Sequence, residues 1–163
     1  MSHRSVVQLI YDTVSSLSDG IQFGYGQRTD FNQILSKPDL WAWLLPLTAN
    51  PQFTVNDVEM YQKRWNCIIL FCRIVQSGDT EIEQKPVLDD LDELVDKFIH
   101  RLNEFYLSQV DTVGPVTLSN FQQTPFFKKD ADIFTGWFVT FQMVTPDDFD
   151  YCTPENVELY NGN

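Results

Sequence analysis

Trp65-Asn66-Cys67-Ile68-Ile69-Leu70-Phe71-Cys72-Arg73-Ile74-Val75-Gln76 is the stretch of sequence that decides the fold. The run from Cys67 to Cys72 is apolar at every position, which is typical of a strand that is buried on both faces. We therefore expect residues 65–76 to form a central strand. A helix would cover one face of this strand, and a second helix or another chain would cover the other.

A second long strand is predicted over residues 134–144. Side chains there alternate with the period of two that separates the two faces of a strand. One face carries Trp137, Val139, Phe141 and Met143, and the other carries Phe138, Thr140 and Gln142.

Between these strands, residues 87–107 predict one long amphipathic helix. Pro86 is expected in its first turn, where the missing N–H of proline costs least. Acidic residues near the start and basic residues further along match the helix dipole. The apolar stripe consists of Val87, Leu91, Leu94, Phe98, Leu102 and Phe105, widened by Leu88, Val95 and Ile99.

Shorter elements complete the predicted fold. We expect a first helix over 5–17, a glycine-rich loop at Phe23-Gly24-Tyr25-Gly26, and strands over 39–47, 53–61 and 115–123. In the strand over 39–47, Trp41, Trp43, Leu45 and Leu47 would share one face, and Pro46 would place the strand at a sheet edge or end it. In the strand over 115–123, Val116, Leu118 and Phe121 would contribute the apolar side chains.

The sum is one α+β domain over residues 1–145. It would contain a mostly antiparallel sheet of four to five strands with two main helices packed on it. Residues 146–163 contain acidic side chains and no Lys or Arg, so we expect an acidic C-terminal tail.

The charge balance restricts the function classes. The 163 residues carry a net charge of −12, with a sequence pI of about 4.3. An acidic chain binds nucleic-acid phosphates and anionic lipid poorly. Solubility alone is the preferred interpretation of the charge, and the alternative is a functional negative surface, such as a wall that lets DNA pass without sticking. No apolar run approaches the roughly 20 residues that span a bilayer, and the N-terminus has no hydrophobic signal core. We expect synthesis in the cytoplasm and no membrane association.

The search for catalytic chemistry finds little. Asp96 and His100 are four residues apart on the long helix, which suits either an acid–base pair or an ordinary surface pair. The carboxylates at 89–96 alternate with core leucines and are expected to be solvated. Gly24-x-Gly26 lacks the rest of a dinucleotide fingerprint, and no zinc-ligand spacing occurs. We expect no enzyme, no catalytic residues, no cofactor and no metal.

Aromatic residues outside the predicted core are the candidates for contacts with other subunits. The predicted loops contain Phe23, Tyr25, Phe126 and Phe127, which we expect at a subunit interface. Trp41 and Trp43 suit either core or interface, and the core is the preferred interpretation. The three cysteines, an odd number, are expected to be free thiols, since Cys67 and Cys72 point to opposite faces of one strand.

The order of elements resembles a known family. A first helix, a loop ending in Asp30-Phe31-Asn32, a strand with Pro46, long strands, one long helix and a closing Gly136-Trp137-Phe138-Val139-Thr140-Phe141 follow one another. This order is similar to that of tail terminator and tail-completion proteins of tailed bacteriophages, and of the small neck proteins that join head to tail. The similarity covers about residues 5–150 and concerns element order rather than a diagnostic motif.

The resemblance implies a structural virion protein that is assembled in the host cytoplasm. It implies a homo-oligomeric ring, with a hexamer as the usual form and a dodecamer as the alternative, that lines the DNA channel. Other neck or tail proteins would contact the ring, and DNA would pass without specific binding. An acidic chaperone or adaptor that binds a segment of a partner protein is the alternative function, and a small enzyme using His100 and Asp96 is the third.

Overall fold

The computed structural model describes residues 3–18, 20–27, 40–56, 58–75, 81–113, 117–126 and 134–146. These residues form an α+β fold with two helices and one mixed, six-stranded sheet, which confirms the predicted class. The sheet contains more strands than the four to five that we expected. The elements are α1 (His3–Ser15), β1 (Gln22–Tyr25), β2 (Leu40–Leu44), β3 (Thr48–Asn56), β4 (Val58–Ile74), α2 (Glu81–Val113), β5 (Thr117–Phe126) and β6 (Phe134–Pro146).

Strand β4 is the centre of the sheet and contains the apolar run that was expected there. The strand order is β1-β2-β4-β6-β5, and β3 pairs with β4 beside β2. One edge of β4 pairs with β6 over residues 62–74, while the other pairs with β3 over 58–66 and with β2 over 69–73. All pairs are antiparallel except β1 with β2.

The chain between β2 and β3 makes an irregular step along the edge of β4. Leu44 stands opposite Ile69 and Thr48 opposite Asn66, so residues 45–47 face only the two residues 67 and 68. Pro46 lies in this step, where its missing N–H breaks no regular ladder bond. The step sends Leu45 and Leu47 to different sides of the sheet. The prediction that Leu47 shares a face with Trp41 was therefore wrong, although the strand does end before Pro46.

Two segments have a different structure from the one predicted. Residues 22–25 form strand β1, parallel to β2, instead of a loop. Gly24 lies directly against the ring of Trp43, and a Cβ at this position would overlap that ring. Residues 53–61 belong to two strands rather than one, because β3 ends at Asn56 and β4 begins at Val58.

Helix α2 begins five residues earlier than Pro86, so the expected place of this proline in the first turn was wrong. The side chain of Pro86 is exposed and does not pack in the core. Pro86 therefore removes one hydrogen bond of the helix without disturbing the core. The amphipathic pattern itself is confirmed. The buried centre of the stripe is formed by Leu88, Leu91, Val95, Phe98 and Leu102, and the flanks by Val87, Leu94, Ile99 and Phe105.

Both helices pack on one face of the sheet, which we call the helix side. Side chains of α1 and α2 share one buried cluster with alternate residues of β2, β4 and β6. The ring of Phe98 lies between those of Phe71 and Phe141, with centroids 5.1 and 6.1 Å away. Of the two covers expected for the far side of β4, a second helix is thus absent from the described residues, because α1 packs beside α2. Cover by another chain stays a prediction.

The far side of the sheet has a smaller buried cluster of Trp41, Trp43, Leu70, Cys72 and Phe134. The two tryptophans are therefore core residues, as preferred. The apolar run in β4 is buried on both faces, as predicted, except at Ile68, which is 37% exposed.

A bulge in β5 changes the face of the sheet to which the following side chains point. Between the pairs Ser119–Gln142 and Gln122–Thr140, two residues of β5 face one residue of β6. Asn120 adopts a left-handed conformation there, with φ 57°, which asparagine tolerates better than most residues. The extra residue turns Phe121 to the helix side, where its ring stacks on Phe141 at 5.3 Å.

Candidate functional site

The aromatic residues expected at a subunit interface do not form one patch. Phe23 and Tyr25 are half-buried on the helix side, and the ring of Phe23 meets that of Tyr11 edge-on at 5.4 Å. Phe126 is half-buried on the far side, where its ring centroid lies 4.8 Å from that of Phe138. Phe127 lies outside the described residues. A role of these four residues in subunit contacts stays a prediction.

Tyr25 has an unusual environment for a residue near a strand end. Burial raises the pKa of its phenol, and a hydrogen bond with the backbone of Leu47 lowers that pKa by a smaller amount. The contact ties the end of β1 to the irregular step between β2 and β3.

Asp96 and His100, the possible acid–base pair on α2, are not hydrogen-bonded to one another. Asp96 Oδ1 accepts a long hydrogen bond of 3.5 Å from Gln123 Nε2 on β5, while His100 is exposed one turn later. No hydrogen bond or ion pair joins Asp96 and His100 among the described side chains. Cys67 and Cys72 are buried, and burial raises the pKa of each thiol to about 12. Neither is therefore a thiolate at neutral pH.

Four of the five carboxylates at 89–96 form a solvated surface, as expected, whereas Asp92 is half-buried. Asp89, Asp90, Glu93 and Asp96 are exposed. Lys97 Nζ lies 2.7 Å from Glu93 Oε1, and its hydrogen bond and positive charge lower the pKa of that carboxyl. Asp90 lies 3.8 Å from Arg73. Among the described residues, no group of three or more acidic, histidine or cysteine side chains is arranged to hold a metal ion.

A row of hydrogen-bonded polar side chains crosses four strands on the far side of the sheet. Asn120 Nδ2 on β5 donates to Gln142 Oε1 on β6 at 2.7 Å. Gln142 Nε2 donates to Asn66 Oδ1 on β4 at 2.9 Å, and Asn66 Nδ2 donates to Thr48 Oγ1 on β3 at 3.3 Å. Because every donor points the same way along the row, the bonds polarise one another.

This row borders a shallow surface depression of about 370 Å³. We call the row and its surroundings the amide face, which consists of Thr48, Asn66, Ile68, Asn120, Gln122, Thr140 and Gln142. Ile68 is the exposed apolar residue within it.

The amide face is uncharged in a strongly acidic chain. Among the described side chains on the far side of the sheet, the one charged group is that of Arg64, one row away opposite Val144. The exposed carboxylates of α2 lie over the helix side. The sheet thus separates an acidic surface from a neutral one that is rich in hydrogen-bonding groups.

Sequence reasoning did not identify this surface. It predicted that Thr140 and Gln142 share a face of the last strand, which is confirmed, but it did not single out Asn66 or Asn120. The bonded partners are 18, 76 and 22 residues apart, so no local pattern connects them. The detectable signal was the pair of polar residues at 140 and 142, which share one face of a mostly apolar strand.

No known protein family matches this chain, and a search of the curated proteins finds no significant relative. Within the described residues, neither helix is both long enough and apolar enough to cross a membrane. The described geometry offers hydrogen bonding and van der Waals contact at the amide face, and a separate acidic helix surface.

Proposed function

We propose that this chain is a structural subunit of a homo-oligomeric ring, similar to a tail terminator, at the head-to-tail neck or tail end of a tailed bacteriophage. The observation that carries the proposal is a projecting hairpin. Strands β3 and β4 pair up to Asn56 and Val58, whereas the described residues of β6 pair with β4 from Gln62 onward. Residues 53–56 and 58–61 therefore extend past the described end of β6 as a two-stranded arm.

The arm favours assembly because a two-stranded hairpin is only marginally stable when it contacts nothing else. An isolated two-stranded hairpin is barely stable in water and gains stability from packing on another surface. Four residues of strand extend about 13 Å, at about 3.3 Å per residue. That reach suits contact with a neighbouring subunit. A contact between two different surfaces, repeated around an axis, closes into a ring when the rotation fits.

The charge distribution supports the place of such a ring around DNA. A channel lined by the exposed carboxylates of α2 would repel phosphates, so that DNA passes without specific binding. The ring would be a hexamer, with a dodecamer as the alternative, and its other faces would contact neck or tail proteins of the virion.

Native mass spectrometry over a range of concentrations, with and without tail tubes, tests the proposal. The expected result is a closed six- or twelve-membered species. The companion variant replaces residues 53–61 with Asn-Gly, which removes the arm and leaves the pairing of β4 with β6 from Gln62 intact. We expect this variant to melt cooperatively but to form no ring. Normal rings without the arm, or only monomers and dimers even with tubes and connectors present, would contradict the proposal.

The second candidate function is an acidic chaperone or adaptor that binds a segment of a partner protein. The outer edge of β5 favours it, because among the described strands β5 pairs only with β6. An extended segment could add to that edge by backbone hydrogen bonds. A persistent dimer that protects an unfolded segment from proteolysis would support this function in place of the ring.

A further inference from the structure

We propose that the amide face is a self-association surface, on which a second copy of this chain packs its own amide face across a two-fold axis close to Ile68. The inference goes beyond the proposed ring, because it concerns which surface pairs two copies and holds whether or not the protein belongs to a virion.

The amide face is the surface through which two copies of the chain repel one another least. Two chains that each carry a net charge of −12 repel one another, and the repulsion is strongest where carboxylates face carboxylates. The outer surface of α2, with Asp89, Asp90, Glu93 and Asp96 exposed, is such a place. The amide face contains no charged residue, and Arg64 beside it is positive. Like copies therefore approach with the least repulsion through this face.

Hydrogen-bonding chemistry makes the surface complementary to itself. A side-chain amide has two N–H donors and a carbonyl oxygen with two lone pairs. Asn66, Gln142 and Asn120 each use one N–H within the row, so each retains a second donor and further acceptor capacity. A two-fold contact brings identical groups together, and groups that both donate and accept can satisfy their own copies.

Ile68 provides the apolar centre that such a contact needs. At 37% exposure it is one of two exposed large hydrophobic residues among the side chains that the structure describes, and polar side chains surround it in the depression. An apolar centre with a polar rim and few charged groups is the usual anatomy of a protein interface. Two sheets that pack face to face lie about 10 Å apart, a spacing that places the two Ile68 side chains in contact.

The two-fold contact and the ring contact are compatible. A two-fold contact uses the same patch on both copies and therefore stops at a pair. It would join two six-membered rings back to back into a twelve-membered assembly, while the arm makes the contacts within each ring.

The test uses opposite charges at one position. Ile68→Asp and Ile68→Lys each place like charges against one another across the axis, and each is expected to weaken pairing by at least about a hundredfold. An equimolar mixture of the two variants brings Asp against Lys and is expected to restore the pair. The matched control is Ile82→Asp on α2, where the native isoleucine is 84% exposed. We expect this control to pair like the native chain.

Sedimentation velocity over a concentration series measures the mass of each species, and circular dichroism confirms that each variant is folded. If the Ile68 variants do not fold, Gln122→Glu and Gln122→Lys repeat the experiment at an exposed position of the same face. A native chain that stays monomeric, an Ile68→Asp variant that keeps its pair, or a mixture that fails to restore pairing would each overturn the inference. If tail tubes fail to yield rings while the mixture restores pairs, the proposed ring fails and this inference stands.

Discussion

Substitution of Phe98 by alanine tests the packing that joins α2 to the sheet. Phe98 is fully buried, and its ring lies between Phe71 on β4 and Phe141 on β6. Phe141 in turn stacks on Phe121 of β5, with the ring planes 18° apart. One helical side chain therefore contacts two central strands and, through Phe141, a third.

The expected loss of stability follows from this environment. Truncation of a buried phenylalanine to alanine typically costs about 3–5 kcal/mol, because transfer free energy is lost and a cavity remains. One tilted and one edge-on aromatic contact disappear as well, each worth about 0.5–1.5 kcal/mol beyond the buried area. We expect the upper part of the range, about 4–5 kcal/mol. A domain of this size is typically stable by about 5–15 kcal/mol, so the substitution would remove roughly a quarter to all of the free energy of unfolding.

Urea denaturation followed by circular dichroism measures the free energy of unfolding. The midpoint should fall strongly while the m-value stays constant, and the melting temperature should drop by roughly 8–20 °C. Ile82→Ala on the exposed part of the same helix is the control and should change stability by less than about 0.5 kcal/mol. A loss below about 1 kcal/mol for Phe98→Ala would refute the assignment of this side chain to the centre of the core.

Three further outcomes are expected. In Gly136→Ala the new Cβ would collide with the backbone of Phe71 and Cys72, which cannot move as a side chain can, so thermal denaturation should show a loss of several kcal/mol or no folded protein. Burial raises the pKa of Cys67 and Cys72 from 9.0 to about 12, so the stability that the protonated thiols supply is present below pH 9 and is lost as pH rises towards 12. In a Cys152→Ser variant, which leaves these two thiols alone, thiolate absorbance at 240 nm should appear near pH 9 in urea and only near pH 12 in the folded protein. Trp65→Phe removes a buried indole N–H that donates to a hydroxyl of β6 at 3.0 Å and should cost about 1–3 kcal/mol in urea denaturation, whereas unchanged stability would show that water replaces the bond.

The separation of charge between the two faces of the sheet links the two proposals. The acidic outer surface of α2 would face DNA or solvent, and the neutral amide face would meet another copy of the chain. Such a division allows a strongly acidic protein to self-associate, since the repelling groups stay away from the contact. Salt screens the repulsion that remains between two acidic chains, so raising the salt concentration should strengthen pairing through the amide face rather than weaken it.

The sequence alone determined the elements whose pattern is local. The stripe of α2 repeats with helical period, and β6 alternates with period two, so both were predicted with the correct faces. The apolar run in β4 correctly indicated a strand buried on both sides. These patterns succeed because burial of an amphipathic element depends on side chains a few residues apart.

Only the tertiary structure decided how the strands meet. The division of residues 53–61 between β3 and β4, the irregular step at Pro46 and the bulge at Asn120 all depend on register with distant partners. The placement of both helices on one face likewise follows from packing across the whole core. The amide row needs Thr48, Asn66, Gln142 and Asn120 on four strands at one level of the sheet, and hydrogen bonds between strands, rather than any local pattern, set that level.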